Sequence, residues 1–580
     1  MLLQQCLAWE EYLMAKHSFF KYHLAWLEVH ALSYDYSFTP ECVETPLKPQ
    51  YGGGMVVNPE ISQGLKGWST FGTTNIAHRE SKDGNKFIVA FNRNASYHSF
   101  SQKFHLDHQQ LYTISAWLQV SHGESEVVAV FKTSSDYVHA GWTIAQSGCW
   151  SMLKGGLVVN DSGPAELYFH TENPTAEIWA DSISLQGFTQ DQWKAHQDQS
   201  IEKTRKSKVR IQVVDPQGQP LANKTMSIKQ QSGNFPFGCA INRNILNNQA
   251  YQNWFTSRFK YTVFENEMKW YSTEPNNGRE DYSVPDAMLR LVKQRNIIVR
   301  GHNVFWDDPN FNPSWVRTLS PTQLSLAVNK RINSVMGRYK GQLIHWDVVN
   351  ENIHFGFLEQ KLGPLESGKL YKQANLIDNR AIPFLNEFNT IEEPGDKAVS
   401  AAQYIRKVRQ IREVYNGPLG IGLEGHFKTP NIPYIRATID ALASLRLPIW
   451  ITELDVSSSP NQDKFLDQIL RETHGNRAVN GIIIWSAWSP QGCYRMCLTD
   501  NNFINLATGN VVDRFLRELA HQGLQITTDS NGILTASLYH GVYEAEISRS
   551  IKTNSSSSSM ARKFTVVPRK EEKTFKIIMN

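Results

Sequence analysis

Long apolar runs are missing from this sequence. None of its 580 positions begins a stretch of 18 or more apolar residues, so no segment is expected to cross a bilayer as a helix. Net charge is also small, because 59 Lys and Arg against 55 Asp and Glu leave only +4. That removes the overall field which would gather nucleic acid or a membrane surface, and neither is expected as a partner. Cysteine is scarce. Cys6, Cys42, Cys149, Cys239, Cys493 and Cys497 are the whole set and none forms a C-x-x-C pair, which argues against a zinc ribbon or a thioredoxin-like site. Cys493 and Cys497, four apart in a loop-like stretch, are open to a disulfide in an oxidising compartment or to two reduced thiols. An H-x-H or other clustered ligand set is absent too, so neither a metal nor a cofactor is expected.

The first thirty residues lack the uninterrupted apolar stretch of a signal peptide, since Glu10, Glu11, Lys16, His17, Lys21 and His23 fall within them. Ala31-Leu32-Ser33 has the small residues of a cleavage-site tail. Glycosylation triplets at Asn94, Asn160, Asn223 and Asn554 lean towards secretion.

What the chain does have is ordinary core-forming material, 41% hydrophobic and 20% charged, spread over a length that suits two to four domains. Residues 1–50 read as a lead-in. From 51 to 188 short alternating runs such as Lys86–Phe91, Leu111–Leu118, Glu126–Phe131 and Ala176–Leu185 predict a β-sandwich. Tyr137, Trp142 and Trp150 are its candidates for a sugar-binding face, set against a reading of all three as core or scattered aromatics. Residues 189–234 read as a polar helical connector followed by a lead-in strand. From 235 to 520 strand and helix alternate, with eight candidate strands from Phe237–Ile241 to Gly481–Trp485, which fits a (β/α)8 barrel. A doubly wound sheet is less attractive because no Gly-rich phosphate fingerprint follows the first strand. Residues 521–580 read as a tail in which Ala536–Ile547 could form a hairpin and the serine run 555–559 is disordered.

The chemistry gathers at strand ends. Ile344-His345-Trp346-Asp347-Val348-Val349-Asn350-Glu351 is a β-branched run ending in an amide and a carboxylate, and Pro448-Ile449-Trp450-Ile451-Thr452-Glu453-Leu454-Asp455 repeats that grammar. In a barrel such ends meet on one face, and two carboxyls there suit glycoside hydrolysis. Glu265-Asn266-Glu267-Met268-Lys269-Trp270, Gly301-His302-Asn303-Val304-Phe305-Trp306, Gly422-Leu423-Glu424-Gly425-His426-Phe427 and Trp485-Ser486-Ala487-Trp488 complete the series.

This set, in this order, closely resembles glycoside hydrolase family 10, the endo-β-1,4-xylanases, and in particular its plant branch. The region 51–185 resembles family 22 carbohydrate-binding modules. The resemblance implies a retaining endo-1,4-beta-xylanase acting on cell-wall xylan, secreted and monomeric. It makes Glu351 the general acid/base and Glu453 the nucleophile, with His426 and Asp455 supporting the nucleophile. Glu265, Asn266, Lys269, His302 and Trp306 would line the glycone side. Asn350 would bind the sugar 2-hydroxyl, Trp485 would floor the reacting sugar, and Glu424 would complete the substrate site. Glu267, Asp347 and Asp307 are read as structural. Three positions depart from the family pattern: Asp307 for a second His, Glu424 for the usual Gln, and Cys493 for a second tryptophan whose space Trp488 or Tyr494 could fill. Alternatives are transfer of xylan chains to other acceptors, or a wall-polysaccharide binder with weak turnover.

Overall fold

Strands that are apolar on both faces need cover on both sides, and a closed barrel ringed by helices supplies it. The computed structural model describes residues 32–520, 524–547, 560–568 and 573–579. The central strands are β1 (Phe237–Ile241), β2 (Tyr261–Phe264), β3 (Ile298–Gly301), β4 (His345–Asp347), β5 (Ile382–Glu387), β6 (Gly420–Leu423), β7 (Ile449–Val456) and β8 (Val479–Ile484). Each pairs in parallel with its neighbours, and β8 pairs with β1 to close the ring. The strand expected to reach Asn350 is interrupted at Val348, and Val349–Asn350 pairs separately with Phe305–Trp306.

Helix Pro321–Tyr339 illustrates the outer layer. Ser320 and Gln323 form a capping box, Pro321 opens the first turn, and Leu324, Val328, Ile332, Val335 and Met336 are buried on one face. Between the strands and this helical layer, large aromatics fit only where a partner gives way. A Cβ on Gly301 would meet the Trp346 ring at 2.4 Å, so glycine there lets the fully buried indole pack.

The amino-terminal unit is a sandwich of two five-stranded sheets with antiparallel pairing throughout. Its core includes Ile88, Ile114, Leu118, Val127, Phe131 and Phe169. The described end of the lead-in is tied to the sandwich: Cys42 is bonded to Cys149, and Val43 bridges Trp150.

The connector and the tail are corrected by the structure. After helix Gln190–Thr204, strand Lys206–Val214 pairs with Ile533–Tyr539 and Lys573–Ile578, while Thr225–Gly233 pairs with Leu524–Thr527 and Gly541–Ile547. Met560–Val566 extends that second sheet. The two sheets share an apolar core of Val209, Ile211, Val213, Met226, Ile228, Leu538 and Tyr543. Neither segment could bury its alternating apolar residues alone. The expected hairpin within Ala536–Ile547 does not form, because its two strands join different sheets. A Cβ at Gly541 would lie 2.2 Å from the Ser232 carbonyl, so the crossover needs glycine. The serine run and Asn554 lie outside the described residues.

Helix Ile432–Ala443 is apolar nearly all round, and Ile432 to Leu442 is buried throughout. The reason is a second neighbour: sandwich strand Ser151–Leu157 packs on the side that faces away from the barrel. Contact is close enough that a Cβ on Gly156 would meet the Pro433 carbonyl carbon at 2.5 Å. Lys154 Nζ lies 2.9 Å from Asp440 Oδ2, with side-chain exposures of 1% and 4%. The Tyr34 hydroxyl also donates to Asp440, and Lys154 to the Asp35 and Ser37 carbonyls. Trp193 and Gln197 donate to Glu472, which Arg436 grips with two nitrogens. Asp440→Ala should strand the buried ammonium and destabilise the chain by about 3–5 kcal/mol in urea unfolding. Lys154→Met combined with Asp440→Leu should recover most of that loss, and equal stability of Asp440→Ala and wild type would refute the account.

Candidate active site

The strand-end residues assigned to catalysis and substrate binding from the sequence line one cleft of about 1110 Å³ at the carboxyl end of the barrel: Glu265, Asn266, Lys269, His302, Trp306, Asn350, Glu351, Glu424, His426, Glu453, Asp455 and Trp485. Glu351 follows Asn350 in a left-handed backbone conformation, φ 57°, which a non-glycine residue adopts only when its surroundings hold it. Its N–H donates to the Asn386 carbonyl at 2.9 Å, and the Asn350 side-chain amide donates to Glu351 Oε1 at 3.2 Å. Burial pushes the Glu351 carboxyl up to about 8, helped by the charges of Glu387 and Glu453, while Trp306 and Lys269 pull it back only part way.

Glu453 has the opposite balance. Burial by itself would raise it, but His302, His426 and Lys269 outweigh that penalty and hold its carboxyl down at about 2. His426 Nε2 lies 3.6 Å from Glu453 Oε2 and 3.3 Å from Glu424 Oε2, and its Nδ1 lies 3.1 Å from Asp455 Oδ2. Burial disfavours the charged imidazole, yet these carboxylates raise His426 well above its ordinary value. Asp455 is fixed in turn by Arg495 Nε at 2.6 Å.

Asn386 was not among the sequence-derived residues, although it connects most of them. Its amide nitrogen lies within hydrogen-bonding distance of three acceptors that share its two hydrogens: Asn350 Oδ1 at 3.0 Å, Glu424 Oε1 at 3.0 Å and Glu453 Oε1 at 2.9 Å. Thr452 fixes the amide's orientation by donating to Asn386 Oδ1. The signal was present, since Asn386-Glu387 ends an apolar strand in the same way as Asn350-Glu351. Glu387 and its partner His354, with Nδ1 at 2.7 Å from Oε1, were missed for the same reason.

On the opposite rim, Glu265 accepts from Ser486 at 2.7 Å, and burial pushes it up to about 7. Asn266 accepts from Tyr271 and Lys269. The Lys269 ammonium stands 4.3 Å from the Trp306 ring centre and 5.8 Å from that of Trp485. Phe311 stacks on Trp306 at 4.0 Å.

The remaining assignments divide. Asp347 is a buried partner of Arg300 at 2.7 Å and His302 at 2.9 Å, and Glu267 accepts from the Arg243 N–H. Asp307 accepts from the Leu358 N–H at 2.8 Å, and burial pushes it up to about 7. Glu424 sits beside Glu453 and is raised well above the carboxylate range by burial and by the charges of Glu453 and Glu351. Cys493 and Cys497 form a disulfide, and both Cys493 and the exposed Tyr494 line the cleft. Trp488 does not; it is buried against Tyr251 and Phe503. Trp150 is likewise a core residue, packed on Phe87. Asn94, Asn160 and Asn223 are exposed.

The sequence showed no clustered metal ligands, but the fold builds one group. Glu424, His426 and Glu453 bring ligand-type atoms within 4.8 Å of one another, the one such set among the described residues. A charged imidazole between two carboxyls already accounts for that closeness, and a metal would have to displace its proton.

Residues 226–495 match the profile of Glycosyl hydrolase family 10. Endo-1,4-beta-xylanase 5 of Arabidopsis thaliana is 37% identical over 548 residues, covering 92% of this chain and 94% of that protein. Endo-1,4-beta-xylanase 4 of the same plant is 35% identical over 542 residues, with 90% and 94% covered. Among solved structures, native xylanase 10B from Thermotoga maritima is similar at 24% identity and a TM-score of 0.44, over 49% of this chain and 97% of that one. With its strand-end carboxyls, closed parallel barrel and full-length likeness to these plant enzymes, the chain belongs to glycosyl hydrolase family 10.

Proposed function

We propose that this glycoside hydrolase is a retaining endo-1,4-beta-xylanase that cuts internal bonds of cell-wall xylan by double displacement. The observation that carries this reading is the pair Glu351 and Glu453, facing one cleft and held in opposite protonation states by their neighbours. Glu351 gives its proton to the glycosidic oxygen while Glu453 attacks the anomeric carbon, so the aglycone leaves and a glycosyl ester forms. Glu351, now ionised, takes a proton from water, and the water oxygen attacks the same carbon and releases Glu453. Asn386 holds Glu453 and Asn350 in one frame, so that the Asn350 amide meets the sugar beside the reacting carbon. The cleft runs past the reacting pair to both rims, which supports cutting within a chain. Two disulfides among the described residues support a secreted protein working in an oxidising compartment.

Three outcomes follow from these roles. Glu351→Gln should lower xylan turnover about 10²–10⁴-fold, while aryl xylobiosides whose leaving group needs no proton lose far less; Glu453→Gln should abolish turnover of both. Equal activity of wild type and Glu453→Gln in reducing-end release from xylan would overturn the assignment. The wild-type kcat/KM on xylan should fall as pH rises through about 8, where Glu351 loses its proton, and this limb should be weak or missing on the aryl substrate, whose leaving group needs no proton. Finally, Asn386→Ala removes charge-assisted hydrogen bonds and should lower kcat about ten- to a hundred-fold with little change in KM.

A further inference from the structure

The cleft is not walled by the barrel alone. Asp136, Tyr137, Val138 and His139 of the sandwich line the same cavity as Glu351 and Glu453. They stand beside loop residues Glu392, Glu393, Pro394 and Gly395 that follow β5, across the barrel mouth from Glu265 and Lys269, which follow β2. The reacting pair therefore lies between the barrel's glycone rim and a rim shared with the sandwich.

Sandwich strand Tyr137–Gln146 is built for this position. A register shift opposite Ala129/Val130 inserts one extra residue between His139 and Gly141 and turns Trp142 to the same face as His139. The two rings lie parallel at 6.0 Å. Trp142 Nε1 donates to the Pro394 carbonyl at 2.8 Å, which pins the sandwich to the barrel loop. Glu172 on the sandwich lies 3.7 Å from Lys397 on the same side. Beyond this anchor, at the end of a turn closed by Thr133 and Asp136, Tyr137 is left 52% exposed over the cleft. A large exposed aromatic on a fixed strand offers a flat apolar face with little ordering cost, the property needed to stack a sugar ring.

We propose that the sandwich completes the aglycone half of the cleft, with Tyr137 stacking on a xylosyl residue of the departing end of a β-1,4-xylan chain. The occupant is the backbone itself, because this surface continues the cleft in which the bond is cut. The inference rests on the xylanase activity assigned above. In this arrangement the sandwich is part of the active cleft, and its aromatic selects for chain length.

The full-length chain and its Tyr137→Ala and Tyr137→Phe variants should be assayed on linear β-1,4-xylo-oligosaccharides of increasing length and on an aryl xylobioside with a short aglycone. The ratio of kcat/KM on long oligosaccharides to that on the aryl substrate should fall about five-fold in Tyr137→Ala, mainly through KM, and stay near wild type in Tyr137→Phe. A wild type that cleaves xylo-oligosaccharides while Tyr137→Ala keeps the same ratio would overturn this inference alone. A wild type that cleaves none of these substrates would overturn the assigned activity and this inference with it.

Discussion

Holding one buried carboxyl ionised beside another kept protonated is the constraint on which the rest of the site depends. Both Glu351 and Glu453 lie where burial favours the neutral acid. Glu453 escapes only because His302, His426 and Lys269 surround it and Asn386 donates to it. Each of those groups needs its own support. His426 rests on Asp455, Asp455 on Arg495, and His302 on Asp347, which is paired with Arg300 inside the barrel. Glu351 has like charges nearby and fewer donors, so it keeps its proton. The difference between the two roles is thus a difference in neighbours.

Glu424 belongs to this balance. A carboxyl at that position adds a third acid between the pair's supports, and burial beside two other acids raises it well above the ordinary carboxylate value. It shares Asn386 and His426 with Glu453.

The architecture gives these groups a rigid frame. Helix Ile432–Ala443 serves two domains at once, covering the barrel on one side and carrying Asp440 to Lys154 on the other. The third unit joins residues before and after the barrel into one pair of sheets, so the barrel is an insertion between strands that need each other.

Much of the site was legible because its grammar is local. A β-branched run ending in polar residues names both the strand and the group at its mouth, which is how Glu351 and Glu453 could be read from separate segments. Asn386 carried the same mark and was passed over, since a lone amide does not announce what it will join. Trp150 and Tyr137 looked alike in sequence, yet one is core and the other stands over the cleft. The strands of 524–578 were read as a tail because most of them pair with Lys206–Val214 and Thr225–Gly233, on the far side of the barrel in sequence, and such pairing leaves no local trace. The sequence by itself determined the eight strands, the carboxyls at their ends and the family, because apolar periodicity and strand-end chemistry are properties of neighbouring residues. Only the tertiary structure decided which neighbours set the two carboxyls apart, which tail strands pair, and which sandwich aromatic meets the cleft, because charge, burial and sheet partners come from residues far apart in the chain.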